Sequence, residues 1–333
     1  MKILAIRFAR LGDVILLLPA LSLLKQVFPD AQLTLLTGHR CAPIAKLCPT
    51  IDDVLAVDRI AMRDGPILNA LKEMTELVRT VRERKFDVVI DFHSFRETNL
   101  LTWLSKAGVR IGLKRHNASY LGFCFNRLPV PEDKTLHVGQ MFERVVKASL
   151  PMVEKQQSSR RPQIQVPDEL RAWADCIHPN RSRLVLYIDA PVRERIWPPE
   201  RFAALADFAV EQLGALPLVI SSKQGRDLAK EVERSSEHPT SIGFFTDLSI
   251  PQVAALIASS RLLVSNDTGP MHIGPAVGVQ TLGLFSVGYP EHFRPLGPND
   301  RFLRASPIEK IETREVIVAV EEMWATVDPG LRC

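Results

Sequence analysis

Lys2-Ile3-Leu4-Ala5-Ile6-Arg7, followed by Phe8-Ala9-Arg10-Leu11-Gly12-Asp13 and then the apolar-periodic run 14–27, decides the fold. The first piece reads as a strand, residues 9–12 as a short turn and the third piece as a helix stopped by Pro29. The pattern recurs. Residues 31–36 are predicted as a strand, 67–84 as an amphipathic helix, 86–91 as a buried strand, 98–107 as a helix and 109–111 as a short strand. From 154 to 168 the composition turns polar and aperiodic, which reads as a linker. Strands are then predicted at 184–188, 216–221, 241–245, 262–265 and 281–285. Helices at 199–213, 225–234, 250–259 and 270–277 alternate with them, and a last helix covers 313–327. Such alternation implies parallel sheets covered on both faces. The expected class is therefore α/β, with two doubly wound domains over 1–160 and 161–312, and 313–333 packing back toward the first. Sheets of this kind bind ligands at the carboxyl ends of their strands, so the site is expected in the cleft between the domains.

The 333 residues suit two domains, and 46% apolar with 24% charged residues excludes a disordered or collagen-like chain. Lys2, Arg7 and Arg10 interrupt the opening, so no secretory signal is read there. The uncharged run 14–24 is too short to span a bilayer and contains Pro19. Residues 268–290 are also uncharged, but five Gly and three Pro in a strand-and-turn pattern exclude a membrane helix. Five cysteines without a C-x-x-C pair point to a reducing cytoplasm, not to a disulfide framework or zinc site. The net charge of +4 is uneven: residues 1–150 carry 22 Lys and Arg against 15 Asp and Glu, the rest 20 against 23. That split reads either as chance or as a basic half facing an anionic partner.

Three turns carry possible chemistry. In the first, Asp13 reads either as the cap of the following helix or as a cleft carboxylate that accepts a proton, and both roles are compatible. The second is Ser265-Asn266-Asp267-Thr268-Gly269-Pro270-Met271-His272, where an apolar strand runs into a polar turn. Gly269 admits close backbone approach, and N–H groups at the helix start would hold a diphosphate. Asp267 would bond a ribose hydroxyl or cap the helix, and His272 would face the same ligand. The third is Arg193-Glu194-Arg195-Ile196-Trp197-Pro198, where a guanidinium suits phosphate oxygens. No D-x-D pair, Walker loop, G-x-S-x-G or H-E-x-x-H is present, so no metal site is signalled.

Taken together, these residues resemble glycosyltransferase family nine, the lipopolysaccharide heptosyltransferases. The likeness is carried by Lys2-Ile3-Leu4, Leu11-Gly12-Asp13-Val14 and Leu18-Pro19-Ala20-Leu21, and by Asn266 through His272. Trp197-Pro198-Pro199-Glu200-Arg201-Phe202 and Arg110-Ile111-Gly112 support it. The resemblance implies the GT-B fold, an acceptor-binding first domain and a donor-binding second one. It implies an inverting transfer of heptose from an ADP-sugar to the inner core of lipopolysaccharide, with no cofactor or tightly held metal. Asp13 matches the general base, Thr268, Gly269 and Asp267 the diphosphate loop, and His272 the histidine near the donor.

There are departures. Arg195 stands where Lys is usual, Ala9-Arg10 where small hydroxyl residues are common, and Ser221-Ser222-Lys223-Gln224-Gly225-Arg226 lacks an expected acid, which leaves the sugar open. A GT-B epimerase and a non-catalytic nucleotide-sugar-binding paralogue are the competing readings. The basic first half then suits an anionic glycolipid acceptor at the inner membrane surface, approached from the cytoplasm, with Arg59, Arg63, Arg96, Arg110, Lys114 and Arg115 as the residues to test. Nucleic acid is the weaker reading of the basic balance.

Overall fold

The computed structural model describes residues 1–8, 10–58, 66–153, 163–177 and 182–326. The chain divides into two compact units, Met1–Gln163 and Ile164–Cys333. Each is built on one six-stranded parallel sheet.

In the first unit, β1 (Lys2–Ile6), β2 (Gln32–Gly38), β3 (Asp53–Val57), β4 (Val88–Asp91), β5 (Val109–Lys114) and β6 (Val130–Pro131) lie in the order β3-β2-β1-β4-β5-β6. The helices are α1 (Leu11–Val27), α2 (Ala42–Ala45), α3 (Ile67–Arg84), α4 (Arg96–Leu104) and α5 (Val138–Ser149). α1 is apolar nearly all round, so it is buried on almost every side and packs against α5. β1 is central, with Ile3 level with Leu33 on one side and Val88 on the other. Its neighbour β2 comes so close to the first turn that a Cβ on Gly38 would lie 2.7 Å from the Phe8 carbonyl oxygen.

The second unit opens with α6 (Asp168–Cys176), which begins where the linker was expected to end. β7 (Arg183–Tyr187), α7 (Pro199–Glu211), β8 (Leu216–Ser221), α8 (Arg226–Ser235), β9 (Gly243–Thr246), α9 (Ile250–Ala258) and β10 (Leu262–Asn266) follow. α10 (Ile273–Ala276), β11 (Gln280–Phe285), α11 (Pro290–Phe293), β12 (Arg301–Arg304) and α12 (Thr313–Thr326) complete it. The sheet order is β12-β11-β10-β7-β8-β9, the doubly wound order of the first unit repeated. Val316, Val320, Met323 and Trp324 of α12 join the core under β7, β10 and β11. The apolar face of this helix is thus part of the second unit's own core.

In a doubly wound sheet the strand order reverses at one crevice, and loops part there to leave room for a ligand. That crevice lies between β1 and β4 in the first unit and between β7 and β10 in the second. Among the described residues no helix is long and apolar enough to cross a membrane.

Candidate functional site

In the first unit, Arg7 extends β1 by one residue, its N–H donating to Leu36 O at 2.9 Å. Its guanidinium turns into the crevice. Nη1 donates to Phe92 O at 2.8 Å, Nη2 meets Asp13 Oδ2 at 2.8 Å, and the cation lies 5.2 Å over the Phe142 ring of α5. The two side chains are 6% and 12% exposed, so the pair is largely out of water and its geometry is held from both ends. Among the described residues no hydrogen bond reaches Asp13 Oδ1. Asp13 is not the cap of α1: the helix begins at Leu11, Arg10 occupies the cap position, and no side chain bonds there. Arg10 has φ 61°, a conformation that favours glycine, so the backbone is strained beside this carboxylate.

The other wall of the crevice is the end of β4. Asp91 is fully buried and accepts from the N–H groups of His93 at 3.0 Å and Ser94 at 2.7 Å, and from Asn99 Nδ2 at 2.9 Å. Burial pushes its pKa up to about 6 against the pull of those bonds. Asn99 Oδ1 in turn accepts from Leu121 N–H at 3.0 Å, tying the turn after β4 to the loop after β5. The His93 ring sits 5.2 Å from Phe8 and 4.6 Å from Phe95, and the Arg115 guanidinium lies 5.2 Å over Phe95. Burial, then the nearby Arg7 cation, lower the Arg115 pKa. Cys41 is pushed up to about 11 by burial and by the Asp13 carboxylate, which makes it a wall of the site and not a nucleophile.

The basic residues singled out for an acceptor are distributed unevenly. Arg115 belongs to this cluster, Lys114 is exposed at the carboxyl end of β5, and Arg96 opens α4 and donates to Ser119 Oγ at 3.1 Å. Arg59 and Arg63 lie outside the described residues. Arg110 sits near the amino end of β5, and its guanidinium donates to Cys124 O at 3.0 Å and Ala107 O at 2.6 Å.

At the second crevice Asn266, the last residue of β10, spans to the end of β7. Its Nδ2 donates to Ile188 O at 2.8 Å and its Oδ1 accepts from Trp197 N–H at 3.2 Å. The buried Trp197 indole donates to Ile311 O at 2.9 Å. These bonds hold the 3-10 turn Arg193–Arg195 over the sheet end. Arg195 Nη1 then meets Asp267 Oδ2 at 3.0 Å. The Asp267 carboxylate is thereby tied to the turn that follows β7. Gly288 leaves it room, since a Cβ there would collide with Asp267 Oδ2.

Within the loop 266–272, Thr268 and Gly269 are partly exposed while Asp267, Pro270, Met271 and His272 are buried. The helix expected over 270–277 is a 3-10 turn, Gly269–His272, followed by the four residues of α10. So short a helix has little macrodipole, and a bound anion would depend on Arg195 and local N–H groups instead. Beside it, the acid missing from 221–226 has a neighbour in Asp189. Its carboxylate accepts from the Ser222 hydroxyl and, at 3.3 Å, from Ser222 N–H.

Arg7, Asp91, Asn99 and Asp189 were not singled out by sequence. Three of them share one signal, position: Arg7, Asp91 and Asp189 are the charged residues at which apolar strands end. Among the described residues no group of three His, Cys, Asp or Glu is placed to hold a metal ion.

A family model described as glycosyltransferase family 9 (heptosyltransferase) matches residues 74–320. Lipopolysaccharide heptosyltransferase 3 of Escherichia coli K12 is 24% identical over 312 residues, covering 91% of this chain and 88% of that protein. Among solved structures, the glycosyl transferase family 9 from Veillonella parvula superposes with a TM-score of 0.83 at 22% identity, covering 97% of each chain. E. coli heptosyltransferase WaaC with ADP-2-deoxy-2-fluoro heptose does so with a TM-score of 0.76 at 20% identity, covering 97% of this chain and 99% of that one. At these identities the structural likeness establishes the fold, two α/β units of the GT-B kind.

Proposed function

This chain belongs to glycosyltransferase family 9 and is a glycosyltransferase, and on that premise we propose that it moves heptose from an ADP-sugar to the inner core of lipopolysaccharide, with Asp13 as general base. The relative named lipopolysaccharide heptosyltransferase and the similar structure holding an ADP-heptose analogue support the acceptor and donor classes. The observation that carries the base assignment is the Asp13 carboxylate held by Arg7 at the crevice of the first sheet. One oxygen is engaged by the guanidinium, and the other is available for an acceptor hydroxyl.

In this reading the acceptor oxygen attacks the anomeric carbon from the face opposite the diphosphate. The new C–O bond forms as the C–O bond to phosphate breaks, the electron pair leaves with ADP, and the hydroxyl proton passes to Asp13. Configuration inverts. Arg195, Thr268 and Gly269 hold the diphosphate, with Asp267 orienting the guanidinium and His272 backing the loop. Arg115, Arg96 and Lys114 meet the anionic acceptor. Charge on the departing diphosphate is balanced by Arg195 and N–H groups, without a resident metal.

The test is turnover with ADP-heptose and a deacylated core acceptor, alongside calorimetry with ADP, UDP and GDP. Asp13→Asn should lower kcat by about 10²–10⁴-fold while ADP binds as before. A full rate in that variant would overturn the base, and tighter binding of UDP or GDP would overturn the donor.

A further inference from the structure

The outer face of α4 carries large apolar side chains, Leu100 and Trp103, to which the transfer reaction assigns no part. Arg96, Leu100 and Trp103 are spaced four and three residues apart, so they share one side of the helix. Leu100 is 40% and Trp103 46% exposed, and Phe123, on the loop packed against α4, is 64% exposed. The Trp103 and Phe123 rings meet edge to face at 6.0 Å, so helix and loop present one continuous aromatic surface. Leu128, later in the same loop, is 87% exposed. The loop is fastened from behind by the Leu121–Asn99 bond and the Arg96–Ser119 bond, so these side chains are displayed on an anchored base. Large apolar groups held in water in this way mark a surface that meets something else.

Charge narrows the partner. Residues 92–131 contain six Lys and Arg against one acid, Glu97, and Lys106, Lys114 and Arg127 are exposed among them. Exposed Trp, Phe and Leu interleaved with cations suit an anionic bilayer surface, where aromatic rings settle at headgroup depth and cations pair with lipid phosphates. A second copy of the chain fits poorly, because a two-fold contact would set this basic face against itself. We propose that this face of the first unit docks on an anionic lipid membrane, with Trp103, Phe123 and Leu100 entering the headgroup layer and Lys106 and Arg127 binding lipid phosphates. Its purpose rests on the lipid-linked acceptor proposed above. Docking itself is measured without substrate, so the two readings fail separately.

The experiment is co-sedimentation of the full chain with phosphatidylglycerol or phosphatidylcholine vesicles at low and high salt. Wild type should bind the anionic vesicles, release with salt, and bind the neutral ones weakly. Trp103→Ser with Phe123→Ser should weaken partitioning by about tenfold or more. Lys106→Glu with Arg127→Glu, which leaves the aromatic pair in place, should weaken low-salt binding by about tenfold or more. Both variants should keep the circular dichroism of wild type and its turnover of a soluble, deacylated acceptor. The proposal is overturned if wild type ignores anionic vesicles, prefers neutral ones, or is matched in vesicle binding by both variants. It is equally overturned if sedimentation shows a dimer that the Trp103 and Phe123 substitutions dissolve, or if both variants lose soluble-acceptor turnover.

Discussion

Replacing Arg7 with Met tests whether the ion pair in the first crevice fixes the Asp13 carboxylate. Met retains a flexible apolar stem against Phe142 but leaves the Phe92 carbonyl without its 2.8 Å donor and Asp13 without its 2.8 Å partner. With the pair only 6% and 12% exposed, the remaining carboxylate cannot be fully rehydrated without opening the turn. Breaking a buried pair from one side costs about 3–5 kcal/mol. In a unit of this size that is roughly 6–20 °C of melting temperature. The double variant Arg7→Met/Asp13→Asn removes both charges and should recover to within about 2 kcal/mol of wild type, because no buried charge is left uncompensated. Its kcat should nevertheless stay as low as that of Asp13→Asn alone. Calorimetric and urea unfolding give the stabilities, and steady-state turnover gives the rates. If Arg7→Met unfolds within about 1 kcal/mol of wild type, the pair is effectively solvated and the reasoning from burial is refuted.

Other expectations follow from single contacts. The Asp91 carboxyl should titrate near pH 6 by carbon NMR; a midpoint near 4 would show that the crevice wall is wetter than its burial implies. Since its folded pKa exceeds the unfolded value of 3.8, its stabilisation is fully present below that pH and is lost as pH rises through about 6. Wild type should therefore gain on Asp91→Asn between pH 7 and 4, by an amount on the order of 2–3 kcal/mol. Gly288→Ala should push Asp267 off Arg195 and weaken ADP binding by about tenfold, at about 1–3 kcal/mol in stability; calorimetry that finds unchanged affinity would separate that ion pair from donor binding. Enzyme treated with EDTA should keep its rate, and a metal-dependent rate would contradict the metal-free transfer.

Much of the fold is readable along the chain because buried parallel strands are uninterrupted apolar runs. β1, β4, β7, β8, β10 and β11 all lie within a residue or two of their predicted spans. The edge strands β3, β6 and β12 escape that reading. β6 has only two residues and β12 carries Arg at both ends, so neither presents an apolar run, while half-exposed β3 presents only the four residues Val54 to Val57. The helix predicted at 270–277 is interrupted for another reason. Pro270 and Pro275 withhold N–H groups and break the run into a 3-10 turn and a single α turn.

The two loops that name the family are local strings, and a string of residues is visible without coordinates. Asp13 and the 266–272 turn were therefore legible from the start. What each loop leans on was not, because those partners come from distant parts of the chain. Arg7 is bound to Phe92, Asn266 to Ile188 and Trp197, Arg195 to Asp267, and Asp91 reaches the 121 loop through Asn99. Sequence order establishes which residues stand at the ends of strands. Only the folded sheets bring those ends side by side, and a buried charge takes its orientation from whatever neighbour satisfies it there.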